Sequence, residues 1–303
     1  MDQYEQLAAA LRARCPELEI REWEPMARHT TFRIGGPVRL MALPKTVGEA
    51  KKALQAAGER EIVPFFLGNG SNLLVADEGY DGFVLKLTGE MDQIQEINCH
   101  LVAGSAVLLS RLAVAALGRG LTGLEFAHGI PGSLGGAVTM NAGAYEGEMA
   151  QVISSVTCLT RTGEVETVPA ADCGFSYRRS AFSGGTRLIL RAEFSLSQGD
   201  PEEIRAKMED LARRRKEKQP LEYPSAGSMF KRPAGHFAAA LIDQCGLKGL
   251  TVGGAQVSEK HAGFVINRGG ATCADVLALV DQVKERVLQQ TGVELEMEVR
   301  VLR

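Results

Sequence analysis

Glycine is concentrated in one apolar stretch of the chain, residues 123–145, which reads GLEFAHGIPGSLGGAVTMNAGAY. Glycine adopts positive φ angles and lets a ligand approach the backbone closely, whereas proline fixes its own φ. The pattern therefore predicts a rigid loop whose N–H groups can cradle an anion such as pyrophosphate. A tight strand connection that binds nothing is the alternative. The glycines concerned surround Pro131 and are Gly129, Gly132, Gly135 and Gly136.

A second loop of small polar residues lies at 68–72, where Gly-Asn-Gly-Ser-Asn separates two apolar runs. The surrounding sequence, PFFLGNGSNLLV at 64–75, predicts a strand, a tight turn and a second strand. It lacks both the helix that follows the dinucleotide fingerprint and the Lys-Ser/Thr end of a P-loop. Two such loops at strand ends favour a large phosphate-bearing ligand held by backbone amides.

The literal G-x-G-x-x-G of the chain, at 118–123, has the wrong context for a dinucleotide site. The preceding residues, 107–117, show a helical rather than a strand pattern, which reverses the order that this fingerprint needs. We interpret Gly118 and Gly120 as the C-terminal stop of a helix.

Length and composition are those of an ordinary globular protein of two or three domains, with 303 residues, 45% hydrophobic and 23% charged. A net charge of −3 gives no reason to expect nucleic acid. Six cysteines without a C-x-x-C pair and five histidines without metal-ligand spacing argue against zinc and disulfides, and favour a reducing compartment. The first residues lack a signal-peptide pattern, and no apolar run has the length of a membrane span.

Periodicity, capping residues and turn residues predict an α+β protein. Thr46, with Glu49 three residues later, gives a capping-box signature. The middle segment, about 83–196, consists mostly of short strands and predicts an antiparallel or mixed sheet. The predicted helices are 4–14, 46–57, 107–117, 201–217, 237–245 and 272–290, and the predicted strands are 32–43 with a break at 35–37, 62–67, 152–160, 164–168, 187–196, 255–257, 263–266 and 293–301.

Three further segments carry polar groups that a hydrophobic core would not need. In SYRRSAF, 176–182, two arginines beside a tyrosine can neutralise carboxylate or phosphate, and a surface ion pair is the alternative. In YPSAGSMFKRP, 223–233, Ser228 follows a glycine, but without a nucleophile elbow a structural serine is favoured from these residues alone. In the last predicted strand, period 2 places three carboxylates on one face, either solvated or directed into a cleft: Glu294, Glu296 and Glu298.

Together these segments resemble one family of flavoenzymes, the UDP-N-acetylenolpyruvoylglucosamine reductases (MurB). The resemblance covers nearly the whole chain in the family's order. Its motifs are TTFRIGG at 30–36, GNGSNLL at 68–74, GLEFAHGIPGSLGGAVTMNAGAY at 123–145, YRRSAF at 177–182, PSAGSMFKRP at 224–233, AGFVIN at 262–267 and LEMEVR at 295–300.

The resemblance implies an α+β fold, the FAD-binding fold of the vanillyl-alcohol oxidase (PCMH) type, with a C-terminal α+β substrate-binding domain. It divides the chain into a first FAD-binding subdomain, 1–89 with the tail 299–303, a second, 90–198, and a substrate-binding domain, 199–298. FAD would be bound non-covalently, because the loop 68–72 contains no His or Cys. The residues implied to bind it are Gly68, Asn69, Gly70, Ser71, Asn72, Leu73, Gly129, Ile130, Pro131, Gly132, Gly135, Gly136 and Ala137.

In the family's reaction a hydride passes from NADPH through FAD to C3 of UDP-N-acetylglucosamine enolpyruvate. A proton then reaches C2, giving UDP-N-acetylmuramate for peptidoglycan synthesis. By resemblance, Arg178 and Glu298 stabilise the enolate-like charge, and Ser228 protonates C2. The implied substrate-binding residues are Tyr177, Lys218 and Lys231.

Two details refine the resemblance. The chain between Arg178 and Ser228 is too short for the tyrosine-bearing insertion of some members, so it resembles the shorter class. Arg232 stands where some members have Asn, which puts substrate contact at that position in doubt. Another FAD-dependent oxidase of the same fold and a non-catalytic nucleotide-sugar-binding protein are the alternatives. We expect a cytoplasmic monomer without metal, nucleic acid or membrane insertion.

Overall fold

The structure is a computed structural model that describes residues 2–97 and 100–303, so Cys99, one of the six cysteines considered above, lies outside it. The chain forms two compact units. The first comprises residues 1–23, 39–69 and 82–213, and the second comprises 24–38, 70–81 and 214–303. The three-part division given above stays a prediction.

The helices begin where side chains satisfy the first backbone N–H groups, which have no partner within the helix. The α-helices are α1 (Gln3–Arg14), α2 (Val47–Gly58), α3 (Leu109–Leu117), α4 (Leu134–Met140), α5 (Pro201–Lys218), α6 (Ala238–Gln244) and α7 (Cys273–Thr291). Asp2 caps α1, and Thr272 caps α7 in a capping box with Asp275. Short 3-10 turns lie at Met26–His29, Gly89–Asp92, Glu125–Ala127, Met149–Gln151 and Ala170–Asp172.

The strands are short and pair mostly with partners distant in the chain. In chain order they are β1 (Glu19–Pro25), β2 (Pro37–Leu43), β3 (Phe65–Phe66), β4 (Leu73–Val75), β5 (Tyr80–Leu85), β6 (Ile94–Ile97), β7 (His100–Gly104), β8 (Leu121–Thr122), β9 (Gly143–Ala144), β10 (Gly147–Glu148), β11 (Ile153–Thr160), β12 (Val165–Pro169), β13 (Arg187–Phe194), β14 (Ser197–Gln198), β15 (Ser225–Ser228), β16 (Thr251–Val252), β17 (Ala255–Val257), β18 (Phe264–Asn267) and β19 (Arg300–Leu302).

The first unit has two hydrophobic cores. A five-stranded antiparallel sheet of order β12-β11-β13-β7-β6 packs against α3 and α4, and Phe126, Phe182 and Phe194 are buried there. A four-stranded sheet of order β1-β2-β5-β3 packs with α1 and α2 around Leu54 and Phe83. The predicted antiparallel sheet of the middle segment is confirmed.

The second unit is built on an antiparallel sheet of order β15-β18-β17-β16, with the buried faces of α6 and α7 in the same core. Strand β19 pairs in parallel with β4. Asp77 anchors the start of α7, because its carboxylate accepts the N–H groups of Cys273, at 2.7 Å, and Ala274, at 3.0 Å. This added negative charge suits the positive end of the helix dipole.

The predicted helices are all present, with ends that differ by one or two residues. The stop at Gly118 is confirmed, since α3 ends at Leu117 and Gly118 is its C-cap. The Thr46 capping box is half confirmed: Thr46 accepts the Glu49 N–H, but the Glu49 carboxylate accepts the N–H of Lys45 rather than that of Thr46.

Three strand predictions are wrong in extent. The prediction 32–43 reduces to β2, which begins at Pro37, at the predicted break. Residues 32–34 are not a strand, because Thr30 to Arg33 turns. The prediction 62–67 reduces to the two residues of β3. The prediction 293–301 is wrong over most of its length, where only Met297 bridges another segment before β19 begins. The side chains nevertheless alternate, with Leu295 and Val299 buried.

Candidate functional site

In the first unit the start of the polar loop lies against the glycine-rich loop. The Asn69 side-chain amide donates a 2.6 Å hydrogen bond to the carbonyl of Pro131. A methyl group added to Gly68 would lie 2.5 Å from Ser133 Oγ, a separation that real side chains do not show. The absence of a side chain at Gly68 leaves room for the Ser133 hydroxyl, and three predicted cofactor residues, Gly68, Asn69 and Pro131, are brought together.

Ser133 is a residue that the sequence reasoning missed. It is 3% exposed, and its hydroxyl has no hydrogen-bond partner among the described residues. It stands at the N-cap of α4, where serine normally accepts an N–H of the first turn, yet it makes no such bond. Burying an unpartnered hydroxyl costs free energy, so this group, beside Gly68, fits a hydrogen-bonding ligand such as a phosphate.

The predicted loop 129–137 runs into α4, whose first turn is held against Ser105. The N–H of Gly135 donates to the Ser105 carbonyl at 2.8 Å, and a methyl group on Gly135 would come within 3.0 Å of Ser105 Cβ. Gly129 and Ile130 are half-buried, Pro131 is exposed, Gly132 is buried, and Gly135, Gly136 and Ala137 lie in the first turn of the helix. The helix itself was not predicted.

The rest of the polar loop belongs to the second unit. Gly70 has φ +61°, and a methyl group on it would lie 2.1 Å from the His29 carbonyl. Its own carbonyl accepts the N–H of Thr31 at 3.3 Å. Ser71 and Asn72 are half-buried, and Leu73 is buried at the start of β4. The motif at 30–36 thus shapes this half of the loop.

Arg178 stands on a tight turn in the first unit. Ser176 and Arg179 exchange backbone hydrogen bonds of 2.9 and 3.1 Å, so Tyr177 and Arg178 form the tip of the turn. Arg178 has φ +56°, a left-handed conformation that favours glycine. Its guanidinium lies 5.2 Å from the centre of the Tyr177 ring, a cation–π contact. Strained backbone at a predicted catalytic residue agrees with a functional role.

The second unit brings the segments of Ser228 and Glu298 side by side. The N–H of Glu298 donates to the carbonyl of Met229 at 2.9 Å, and Phe230 and Met297 form an antiparallel bridge. Met229 is fully buried, whereas Ser228, the last residue of β15, is exposed. The hydroxyl of Ser228 is thus presented from a fixed backbone.

The three glutamates of the last segment differ in surroundings. Glu294 and Glu296 are exposed, whereas Glu298 is half-buried. The Lys231 ammonium forms an ion pair with the Glu296 carboxylate. Glu298 is therefore the least exposed of the three carboxylates, and its catalytic role stays a prediction. Of the predicted substrate-binding residues, Tyr177 is 55% exposed and Lys218, the last residue of α5, is exposed.

His261 lies near Ser228 through the neighbouring strand and was not singled out from sequence. Its ring packs edge-on against Phe264, the strand partner of Ser228, with centroids 5.0 Å apart. Burial lowers the pKa of His261, and its Nδ1 accepts the N–H of Gly263 at 3.2 Å. Burial thus disfavours the charged form of the imidazole.

The part of the chain that the structure describes has neither a metal site nor a membrane-spanning helix. No group of three or more His, Cys, Asp or Glu side chains there could hold a metal ion. No α-helix in it is long and apolar enough to cross a membrane.

Comparison with known proteins first identifies the class of protein to which this chain belongs. Residues 38–169 match the family model of an FAD-binding domain, and residues 219–302 match that of the C-terminal domain of UDP-N-acetylenolpyruvoylglucosamine reductase. Fold and match define an FAD-binding flavoprotein with a C-terminal α+β domain. The orphan hydroxyl of Ser133 and the close approach at Gly68 fit the pyrophosphate of such a cofactor.

The particular family follows from full-length relatives. The chain is 48% identical to UDP-N-acetylenolpyruvoylglucosamine reductase of Pediococcus pentosaceus over 95% of both chains. It is 45% identical to that of Clostridium kluyveri over 100% of this chain and 99% of the relative. It also resembles the crystal structure of UDP-N-acetylenolpyruvylglucosamine reductase (MurB) from Thermus caldophilus, with a TM-score of 0.81, 37% identity, and coverage of 95% of this chain and 99% of that one. The chain belongs to the UDP-N-acetylenolpyruvoylglucosamine reductase family.

Proposed function

We propose that this chain reduces UDP-N-acetylglucosamine enolpyruvate to UDP-N-acetylmuramate with electrons from NADPH, and that Arg178, Ser228 and Glu298 carry the chemistry. The observation that carries the proposal is the pairing in the second unit. An exposed hydroxyl, Ser228, and a half-buried carboxylate, Glu298, stand on adjoining backbone segments in a member of this family.

The two small-residue loops hold the cofactor. FAD, when bound, supplies the hydride that the reaction needs. In the first unit Ser133 Oγ is free to hydrogen-bond its pyrophosphate beside Gly68, and Asn69 holds the loop in place through Pro131. In the second unit Gly70, with φ +61°, forms the turn from which Ser71 and Asn72 continue the loop. The backbone amides of such loops bind anions without a side-chain charge.

Each of the three catalytic residues has a separate task. Arg178 places its positive charge near the carboxylate of the substrate. Negative charge collects on that carboxylate after hydride arrives at C3. Glu298 assists at the enolate-like group. Ser228 Oγ gives its proton to C2 and regains one from solvent. Tyr177, Lys218 and Lys231 bind the nucleotide-sugar phosphates and carboxylate, and Lys231 must then exchange its ion pair with Glu296.

The experiment that tests the proposal separates the two half-reactions. The purified, FAD-loaded protein is mixed anaerobically with NADPH and then with UDP-N-acetylglucosamine enolpyruvate in a stopped-flow spectrometer. We expect NADPH to bleach the visible flavin band and the enolpyruvyl substrate to restore it. Recovery that requires oxygen instead would identify an oxidase, and absence of any flavin signal after addition of FAD would overturn the proposal.

We also propose that the protein works as a monomer in the cytoplasm, with the three-part division 1–89 with the tail 299–303, 90–198 and 199–298. The described cysteines are all free thiols, and burial raises the pKa of Cys158, Cys173 and Cys273 to about 11 in each case. Protonated, buried thiols of this kind suit a reducing compartment. Light scattering coupled to size-exclusion chromatography tests the monomer, and a mass near 65 kDa, twice the chain's 32.5 kDa, would contradict it.

A further inference from the structure

Asn141 occupies an unusual position at the C-terminal end of α4. It is 1% exposed and has φ 43° and ψ 56°, the left-handed conformation of a helix C-cap. Glycine is the usual residue at such a cap, and asparagine is the side chain that tolerates it best. A buried asparagine here therefore suggests that its carboxamide, and not only its backbone, is needed.

Both polar groups of the Asn141 carboxamide form hydrogen bonds. Its Oδ1 accepts the N–H of Ala150 at 2.9 Å, and its Nδ2 donates to the carbonyl of Ser176 at 3.2 Å. Ser176 is the first residue of the four-residue turn that carries Arg178. The side chain thus joins three segments that are distant in sequence, and one of its bonds ends on that turn.

The C-terminal end of α4 also anchors the residues that follow the turn at 176–179. The hydroxyls of Ser180 and Ser183 both donate to the carbonyl of Thr139, at 2.9 Å each. Thr139 is one of the last residues of α4, whose first turn contains Gly135. Both flanks of the turn are therefore attached to one short helix that begins at the glycine-rich loop.

We propose that Asn141 is a positioning residue for Arg178: its carboxamide fixes the turn from which the Arg178 guanidinium is presented. The inference rests on the proposed function, which gives Arg178 its role. Arg178 is in a left-handed conformation that costs about 1 kcal/mol for a side chain other than glycine. Such a conformation persists only where neighbouring contacts hold it, and Asn141 supplies one of these contacts.

Two substitutions separate the carboxamide from the backbone conformation. Asn141→Gly keeps the left-handed backbone and removes both side-chain hydrogen bonds. Asn141→Asp keeps the acceptor for Ala150 but loses the donor to Ser176. Glu61→Gly is the matched control, since Glu61 is an exposed residue of the same unit with φ 57°. Circular dichroism and FAD content verify that each variant is folded and loaded.

The readout is the pair of half-reactions, measured in the same anaerobic stopped-flow experiment. We expect Asn141→Gly and Asn141→Asp to slow flavin reoxidation by the enolpyruvyl substrate roughly 10- to 100-fold, as misplacement of a catalytic group by about 1 Å does. Reduction by NADPH should change by less than about twofold, and Glu61→Gly should leave both steps unchanged. Equal slowing of both half-reactions would mean a general structural defect and would overturn the inference.

A double-mutant cycle with Arg178→Ala makes the test specific. If Asn141 acts through Arg178, adding Asn141→Gly to Arg178→Ala should slow reoxidation by less than about twofold further. Full additivity of the two effects would overturn the inference, and Asn141→Asp serves in the cycle if Asn141→Gly fails to fold. The proposed function fails in a different way: Arg178→Ala alone would leave reoxidation unchanged, or the substrate would not reoxidise the wild-type flavin.

Discussion

The side-chain amide of Asn72 donates a 3.1 Å hydrogen bond to the backbone carbonyl of Glu298. The carbonyl of Asn72 accepts the N–H of Arg300 at 3.1 Å, so the two segments are joined on both sides of Val299. A residue of the polar loop and a predicted catalytic carboxylate of the same unit therefore share one contact. The position of Glu298 depends on the loop that is proposed to bind the cofactor.

This contact gives the first prediction. Asn72→Ala removes the donor to Glu298 and should lower the free energy of unfolding by about 1 kcal/mol, the usual net value of one hydrogen bond. It should also slow flavin reoxidation, because the backbone at Glu298 is then less firmly held. Urea unfolding and stopped-flow absorbance measure the two effects. Gln289→Ala, which truncates an exposed amide on α7, is the control, and equal behaviour of the two variants would refute the prediction.

The second prediction concerns the close approach at Gly68. Gly68→Ala should weaken FAD binding more than tenfold, because the added methyl group would lie 2.5 Å from Ser133 Oγ and spread the two loops. Ser133→Ala should weaken FAD binding by about 1.5 to 3 kcal/mol, the value of a hydrogen bond to a charged group. The measurement is reconstitution of the apoprotein, followed by flavin fluorescence.

Gly58→Ala is the matched control for these loop variants. Gly58 ends α2, has no atoms within 4 Å of an added methyl group, and does not have a positive φ. The substitution should leave FAD affinity unchanged and stabilise the fold slightly, by up to about 1 kcal/mol, because alanine has less freedom than glycine in the unfolded chain. If the Gly68→Ala protein binds FAD as tightly as the wild type does, this site does not hold the pyrophosphate.

The sequence predicts best what local contacts determine. The ends of α1, α2 and α7 follow from capping side chains within a few residues, and the stop at Gly118 follows from glycine itself. Helix α4 escapes prediction because its two glycines lower helix propensity and Ser133, at its N-cap, forms no capping bond. The helix is instead stabilised by contacts with distant residues, which the sequence does not reveal.

Non-local pairing also explains the error in the last segment. At 293–301 buried and exposed side chains do alternate. The backbone of this segment, however, pairs with two different segments, one near Phe230 and one in β4. Periodicity detects which face is buried and cannot identify the partner. The roles of Ser228 and Glu298 came from family resemblance for the same reason, since about seventy residues separate them and only tertiary pairing makes them neighbours.

The third prediction is a pH dependence of stability centred on Glu125. This buried carboxylate accepts the Thr122 hydroxyl at 2.5 Å and the Gly123 N–H at 3.0 Å. Burial alone would raise the pKa of Glu125, but these hydrogen bonds and the charge of Lys207 together lower it below its ordinary value. The stabilisation is therefore present above the ordinary carboxyl pKa and is lost as the pH falls through the lowered value.

Glu125→Gln tests this dependence, because an amide cannot accept at both positions. It should destabilise the protein by about 1 to 3 kcal/mol at pH 7, and its difference from the wild type should narrow below about pH 4. Urea unfolding across this range is the measurement, with Glu164→Gln, at an exposed position, as the control. A difference that stays constant with pH would contradict the assignment.

The fourth prediction sets stability against activity at Arg178. Both Arg178→Ala and Arg178→Gly remove the guanidinium, so both should strongly slow flavin reoxidation by the enolpyruvyl substrate and retain reduction by NADPH. They should differ in stability, because φ +56° strains alanine and suits glycine. We expect the glycine variant to be the more stable by about 1 kcal/mol, measured by urea unfolding of the FAD-loaded proteins. At Thr167, an exposed residue of β12 that pairs in regular register with β11, substitution by alanine and by glycine should rank in the opposite order, since glycine weakens a strand. If alanine and glycine rank equally in stability at the two positions, the left-handed turn does not constrain residue 178. The predicted reversal would mean that the protein maintains a strained backbone where it presents its catalytic charge.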